Sequence, residues 1–253
     1  MTDRPPSASP GDEDIPAGSA DPGESRGFLT GLLYGIREIV IIVVMAMVLS
    51  LIVKTWIAQA FFIPSGSMEE TLQVGDRVIV SKLNKQFDGI NRGDIVVFKD
   101  PGSWLPPSTH LQEDGLRGDI QRGLTFIGLL PDPADEHLIK RVIGVAGDHV
   151  VCCDDENRLT INGAPITETY VYAGDAASTL QFDITVPADA VWVMGDHRSD
   201  SQDSRFHPID GDGSDGSVPL DLIVGRAVVT VWPFTHLGGL SNYSHVFSSV
   251  PAP

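Results

Sequence analysis

From Ile39 to Val53 the chain reads IVIIVVMAMVLSLIV without a single charge, and beyond Lys54 the apolar texture continues through TWIAQAFFI to Ile63. Crossing the hydrocarbon of a bilayer takes about 20 mostly apolar residues. Lys54 can return its ammonium to the headgroup level, so the segment reads as one transmembrane helix over 36–60. A buried core helix is disfavoured because the run is apolar all round. A cleaved export leader, hinted at by Ala58-Gln59-Ala60, is disfavoured by the long acidic stretch ahead of it. Arg26 and Arg37 on one side face Lys54, Arg77, Lys82 and Lys85 on the other, so charge does not orient the helix.

Ahead of that helix, residues 1–35 include Pro5, Pro6, Pro10, Pro16 and Pro22 among Gly, Ser, Asp and Glu. Such a composition buries too little apolar surface to offset the entropy of ordering, which predicts a disordered acidic tail. The formal charge of −17 over 253 residues argues against a nucleic-acid partner, since binding phosphates needs a basic surface. The two cysteines, Cys152 and Cys153, are adjacent, which excludes a metal-ligand spacing and favours two free thiols in a strand over a bridge. Nothing in the sequence asks for a cofactor or a metal. Asp210, Asp212, Ser214 and Asp221 imitate ligands of a calcium loop, but Asp215 stands where its sharp turn needs glycine.

After the helix the texture becomes β, and residues 61–253 read as a mainly β domain. Short apolar runs follow Gly-Asp turns: Arg77–Leu83 after Gly75-Asp76, Ile95–Phe98 after Gly93-Asp94, and Leu138–Val145, which turns at Gly147-Asp148 into HVVCC. Leu159–Gly163 announces a hairpin, because Asn162-Gly163 takes positive φ readily. Val191–Met194 and Ile223–Trp232 are further strands, a small β lobe falls at about 149–190, and 102–136 reads as a long surface insertion. Thr235–Pro253 carries no visible signal.

Between the apolar run and the first β segment lies Ser65-Gly66-Ser67-Met68, a polar turn opened by Pro64. Ser67 in such a turn is either part of a linker or a displayed nucleophile with backbone N–H groups beside it. A serine hydroxyl needs a base. His110, His137, His197, His207, His236 and His245 are scattered candidates. Lys140 lies among Leu138, Ile139, Val142 and Ile143, where it either snorkels from a strand edge or is buried with its pKa lowered.

Four stretches in order, IPSGSM (63–68), GDIVVFKDP (93–101), KRVIGVAGD (140–148) and GDHRSDSQDSR (195–205), resemble those of bacterial type I signal peptidases. These are membrane-anchored serine proteases that cut leader peptides from exported proteins. The resemblance runs from the anchor to Trp232. It implies Ser67 as nucleophile, Lys140 as general base, and an oxyanion hole from the Ser67 N–H and the Ser65 hydroxyl. It also implies that Ser201 hydrogen-bonds the lysine, that Asp203 and Arg205 form a supporting ion pair, and that Phe61, Ile63, Leu72, Val78 and Ile139 line two small specificity pockets. Glu70 stands where the family usually has proline, and His197 where it usually has asparagine.

The resemblance further implies a bacterial cell membrane location with the catalytic domain outside, and signal peptides of exported preproteins and membrane lipid as partners. Extended leader segments with small residues at the cut would add a strand to the sheet. Two rivals are a soluble self-cleaving Ser/Lys repressor, which needs a DNA-binding domain ahead of the catalytic part, and an inactive membrane-anchored module that keeps the peptide groove.

Overall fold

The computed structural model describes residues 24–83, 89–102, 104–105, 115, 118, 123, 137–207 and 216–253. Most of the 102–136 insertion and most of the calcium-like stretch therefore lie outside the described residues. Two units separate, Met1–Ala46 and Met47–Pro253.

Helix α1 runs from Glu24 to Ile52 and ends in a single wider turn, Val53–Ile57. Its start corrects the tail boundary, since residues from Glu24 onward are helical rather than disordered. Its end corrects the other boundary: strand β1 already occupies Ala58–Phe62. The apolar portion Gly31–Ile57 is long enough to cross a membrane and none of it is buried within the protein. At 1.5 Å per residue that portion spans about 40 Å, against roughly 30 Å of hydrocarbon.

The larger sheet contains β2 (Arg77–Ser81), β3 (Ile95–Lys99), β4 (His137–Val145), β9 (Ala190–Met194), β10 (Val218–Pro219), β11 (Ile223–Trp232) and β12 (Gly238–Gly239) besides β1. Its order is β1-β2-β11-β3-β4-β9-β10, with β12 also on β11. The smaller sheet has β5 (His149–Cys152), β6 (Leu159–Ile161), β7 (Ala164–Pro165) and β8 (Phe182–Thr185) in the order β7-β6-β5-β8.

Strand β3 explains the division of the core. Ile95 and Val97 enter one apolar cluster, with Phe61, Ile63, Met68, Leu72, Val78, Val80 and Ile139. Val96 and Phe98 enter another on the opposite face, with Leu138, Val142, Val191 and Val193. A strand covered on both faces must be apolar throughout, which is why IVVF shows no alternation. Each such side chain contributes about 1.5–3 kcal/mol by burial. A third cluster joins the smaller sheet to Trp192 and to Val246 and Phe247 of the C-terminal segment.

The hairpin between β6 and β7 turns at Asn162 and Gly163, both at positive φ, as the sequence anticipates. Cys152 and Cys153 correct the free-thiol expectation: they form a disulfide. The peptide bond between them is cis. Their Cα atoms are 3.0 Å apart.

Candidate active site

The chain leaves β1, makes a tight excursion and enters β2, and two backbone bonds close its base. Ile63 N–H donates to Asp76 O and Gly75 N–H to Ile63 O, each at 2.9 Å. Within it Glu69 N–H donates to Gly66 O and Leu72 N–H to Met68 O, which winds residues 67–72 into a short helical turn. Met68 and Leu72 are fully buried and pin that turn to the apolar cluster. Glu70 sits at φ +88°. A proline ring holds φ near −65°, so the backbone found at Glu70 is one that proline cannot adopt.

Ser67 is thereby held at 5% exposure, and Lys140, in the middle of β4, at 4%. Lys140 Nζ lies 2.6 Å from Ser67 Oγ. Burial lowers the lysine pKa to about 8; Asp203 opposes that fall, Arg205 adds to it, and Asp196 and Asp200 oppose it. The snorkelling alternative fails because the ammonium end is inside.

The histidines go elsewhere. His137 packs its ring 5.2 Å from that of Phe61, His197 stacks on Tyr172 with Nδ1 3.3 Å from Glu69, and His236 pairs with Asp76. His207 lies flat on Trp104 with its pKa lowered by burial, and the ring of His245 lies 5.8 Å from that of Tyr243. His110 is outside the described residues. Among the described residues, the base at hydrogen-bonding distance of Ser67 Oγ is Lys140.

The acidic stretch folds round a buried carboxylate. Asp203 accepts from Gly195 N–H at 2.9 Å, from the Ser201 hydroxyl at 2.7 Å and from Arg205 Nε and Nη2 at 2.8 Å. The Ser201 hydroxyl gives its one proton to Asp203, and its oxygen keeps lone pairs of the kind that accept a lysine N–H. The Asp203 pKa is lowered despite the opposing effect of burial, because Arg205 and the Gly195 N–H favour its charged form.

Phe61, Ile63, Leu72, Val78 and Ile139 all fall in one buried cluster with Met68, the neighbour of Ser67. Ser65 stands exposed at the head of the turn. Sequence reasoning missed Thr71, Arg141 and Asp196. Thr71 Oγ1 donates to Asp196 at 2.5 Å, and Arg141 grips the same carboxylate at 2.8 and 2.6 Å. A fully buried arginine next to a buried lysine needs a dedicated partner, but that burial is visible only in the structure. Among the described residues no group of His, Cys, Asp and Glu is arranged to hold a metal ion.

A serine hydroxyl set against a buried amine of lowered pKa is the equipment of a serine endopeptidase of the Ser/Lys type. Residues 36–232 match the family model described as signal peptidase, peptidase S26. The chain is 36% identical over 230 residues to a probable signal peptidase I of Mycobacterium leprae, covering 81% of this chain and 79% of that protein. It is 38% identical over 224 residues to signal peptidase I of Mycobacterium tuberculosis, covering 80% and 74%. Against signal peptidase I of Leptolyngbya laminosa identity is 36% over 210 residues, covering 83% and 84%. The chain belongs to the peptidase S26 family of signal peptidases.

Proposed function

We propose that the protein removes signal peptides from exported preproteins, with Ser67 as nucleophile and Lys140 as general base. The observation that carries this is the 2.6 Å separation of Nζ and Oγ together with a lysine pKa lowered to about 8. Neutral Lys140 takes the Ser67 proton as Oγ attacks the scissile carbonyl carbon. The oxyanion is met by the Ser67 N–H and the Ser65 hydroxyl. Collapse breaks the C–N bond, and the departing amine of the mature protein takes the proton from Lys140. A water then attacks the acyl ester, giving its proton to Lys140, which returns it to Oγ as the leader peptide leaves.

The sheet supports binding of an extended leader. Strand β1 is an end of its sheet, and β9 pairs with β4 only from Arg141 to Val145. Leu138–Lys140 therefore have no strand neighbour on that side among the described residues, and strand addition beside Ser67 follows the ordinary mode for extended peptides. The apolar pocket residues meet alternate side chains of such a strand.

Substrates that emerge on export call for a catalytic domain outside, tethered by the span Gly31–Ile57, the one candidate among the described residues. Lipid is the partner of that span and of an exposed apolar set on the same domain. Phe62 and Trp232 flank Arg77 in one row across β1, β2 and β11, with the Phe234 ring 4.9 Å from Trp232 and Leu237 also exposed.

Sealed right-side-out vesicles carrying the protein are expected to cleave an added leader peptide with alanine before the cut and to leave the phenylalanine counterpart intact. A larger group in a closed pocket costs about 1–3 kcal/mol, or roughly tenfold to a hundredfold in rate. Cleavage only after the vesicles are opened would reverse the orientation. Equal rates for the two peptides would remove the pocket assignment.

A further inference from the structure

The tail Thr235–Pro253 gave no signal in the sequence, yet it reaches the strand that bears Lys140. Arg141, the next residue on β4, is fully buried. Consecutive strand residues project to opposite faces, so its guanidinium lies on the face away from the lysine amine. A guanidinium has five N–H donors. Nε goes to Asp196 Oδ1 at 2.8 Å. Nη2 serves Asp196 Oδ2 at 2.6 Å and Thr71 Oγ1 at 3.2 Å, and Nη1 serves Gly93 O at 2.8 Å and Ser241 O at 3.2 Å. The fifth acceptor comes from the tail.

The tail also supplies an aromatic face. Arg141 Cζ lies 4.2 Å from the ring centroid of Tyr170 and 5.1 Å from that of Tyr243, and the two rings are 5.3 Å apart. Tyr243 sits at φ +47°. That conformation is costly for a bulky residue and cheap for glycine or asparagine, so the backbone does not explain a tyrosine here, whereas the position of its ring does. The tail is held in place independently: Val246 and Phe247 are buried in the lobe cluster, and Pro251 O accepts from Arg92 and Asn162.

The partners of Arg141 lead to the nucleophile from two directions. Thr71 belongs to the turn that carries Ser67, and Asp196 precedes His197, whose N–H donates to Ser67 O at 3.2 Å. We infer that Tyr243 and the Ser241 carbonyl are positioning groups for the Ser67/Lys140 pair. They act through Arg141, which fastens β4, the nucleophile turn and the acidic stretch together. The inference rests on the Ser/Lys reading above. It adds that the C-terminal segment is part of the catalytic apparatus rather than an appendage.

The test compares full-length Tyr243→Leu, which stays apolar but removes the ring, with Tyr243→Phe, which keeps the ring. Loss of the cation–π face is expected to lower kcat about tenfold for Tyr243→Leu, with KM within about twofold of the wild type, and Tyr243→Phe should restore kcat. The pH profile supplies a readout that fold loss alone does not move. The charged groups around Lys140 are Asp203, Arg205, Asp196 and Asp200. An Arg141 that grips Asp196 less well leaves more of that carboxylate's charge to favour the ammonium, so the acid limb should move to higher pH. Wild-type kcat in Tyr243→Leu, or a loss that tracks the folded fraction with an unmoved limb, would overturn the inference. Failure of the wild type itself to cleave would instead refute the Ser/Lys reading.

Discussion

Leader-peptide cleavage is expected to rise with pH through about 8 and to level off above it. An exposed lysine titrates near 10.4, and only the neutral amine can take the Ser67 proton. Burial lowers that pKa to about 8, a penalty on the ammonium on the order of 3 kcal/mol. Below the shifted pKa the ammonium form dominates and activity falls; at pH 7 about one lysine in ten is neutral. The limb therefore lies on the acid side. Arg205 helps to lower the pKa while Asp203, Asp196 and Asp200 oppose it, so Asp200→Asn should move the limb to lower pH. A profile flat from pH 7 to 9 would contradict the burial argument.

Gly195→Ala is expected to reduce kcat/KM by about a hundredfold or more, the cost of an ångström-scale misplacement of reacting groups. A Cβ built on Gly195 would stand 2.3 Å from Ser201 Oγ and 2.4 Å from Ser67 O. The second contact is with backbone, which cannot swing aside, so the nucleophile turn itself must move. The same glycine donates its N–H to Asp203 and accepts from Arg198 Nε at 3.0 Å, so it cannot retreat without breaking both bonds. Stability should fall by about 1–3 kcal/mol as in other overpacked sites. Activity within twofold of wild type, measured on protein with a normal Tm, would show that the turn accommodates the methyl group.

Periodicity and turn chemistry made most of the larger sheet legible. Gly-Asp turns marked the starts of β2 and β3, Ile223–Trp232 matches β11 residue for residue, and in the smaller sheet Asn162-Gly163 marked a hairpin. Local signals failed where the structure depends on distant partners. Apolar texture resumes beyond Lys54 and continues to Ile63, so nothing local reveals that helix gives way to strand at Ala58. What decides it is pairing of Ala58–Phe62 with Arg77–Ser81. The C-terminal segment has no period to read, because it is held by scattered contacts to β11, Arg92, Arg141, Asn162 and the lobe core.

The site was legible as residue types in order, and less so as bonds. Ser67 and Lys140 stand within hydrogen-bonding distance, and the five apolar residues expected to line pockets share one cluster. The Ser201–Asp203 bond was not legible because the motif gives residue types in order and not which acceptor takes the hydroxyl proton. Arg141 went unremarked because an arginine in a motif looks like a surface charge until its five acceptors are seen.

The central claim, that Lys140 is the base for Ser67, is tested most directly by leader-peptide cleavage with purified, folded Lys140→Arg and Lys140→Met protein from pH 6 to 10. A guanidinium stays protonated and a thioether has no basic nitrogen, so neither takes the proton. Both should fall by about 10²–10⁴-fold, the contribution of a positioned base, at every pH. Near wild-type turnover in either variant would reduce Lys140 to a structural charge and return the search to the histidines, beginning with His197.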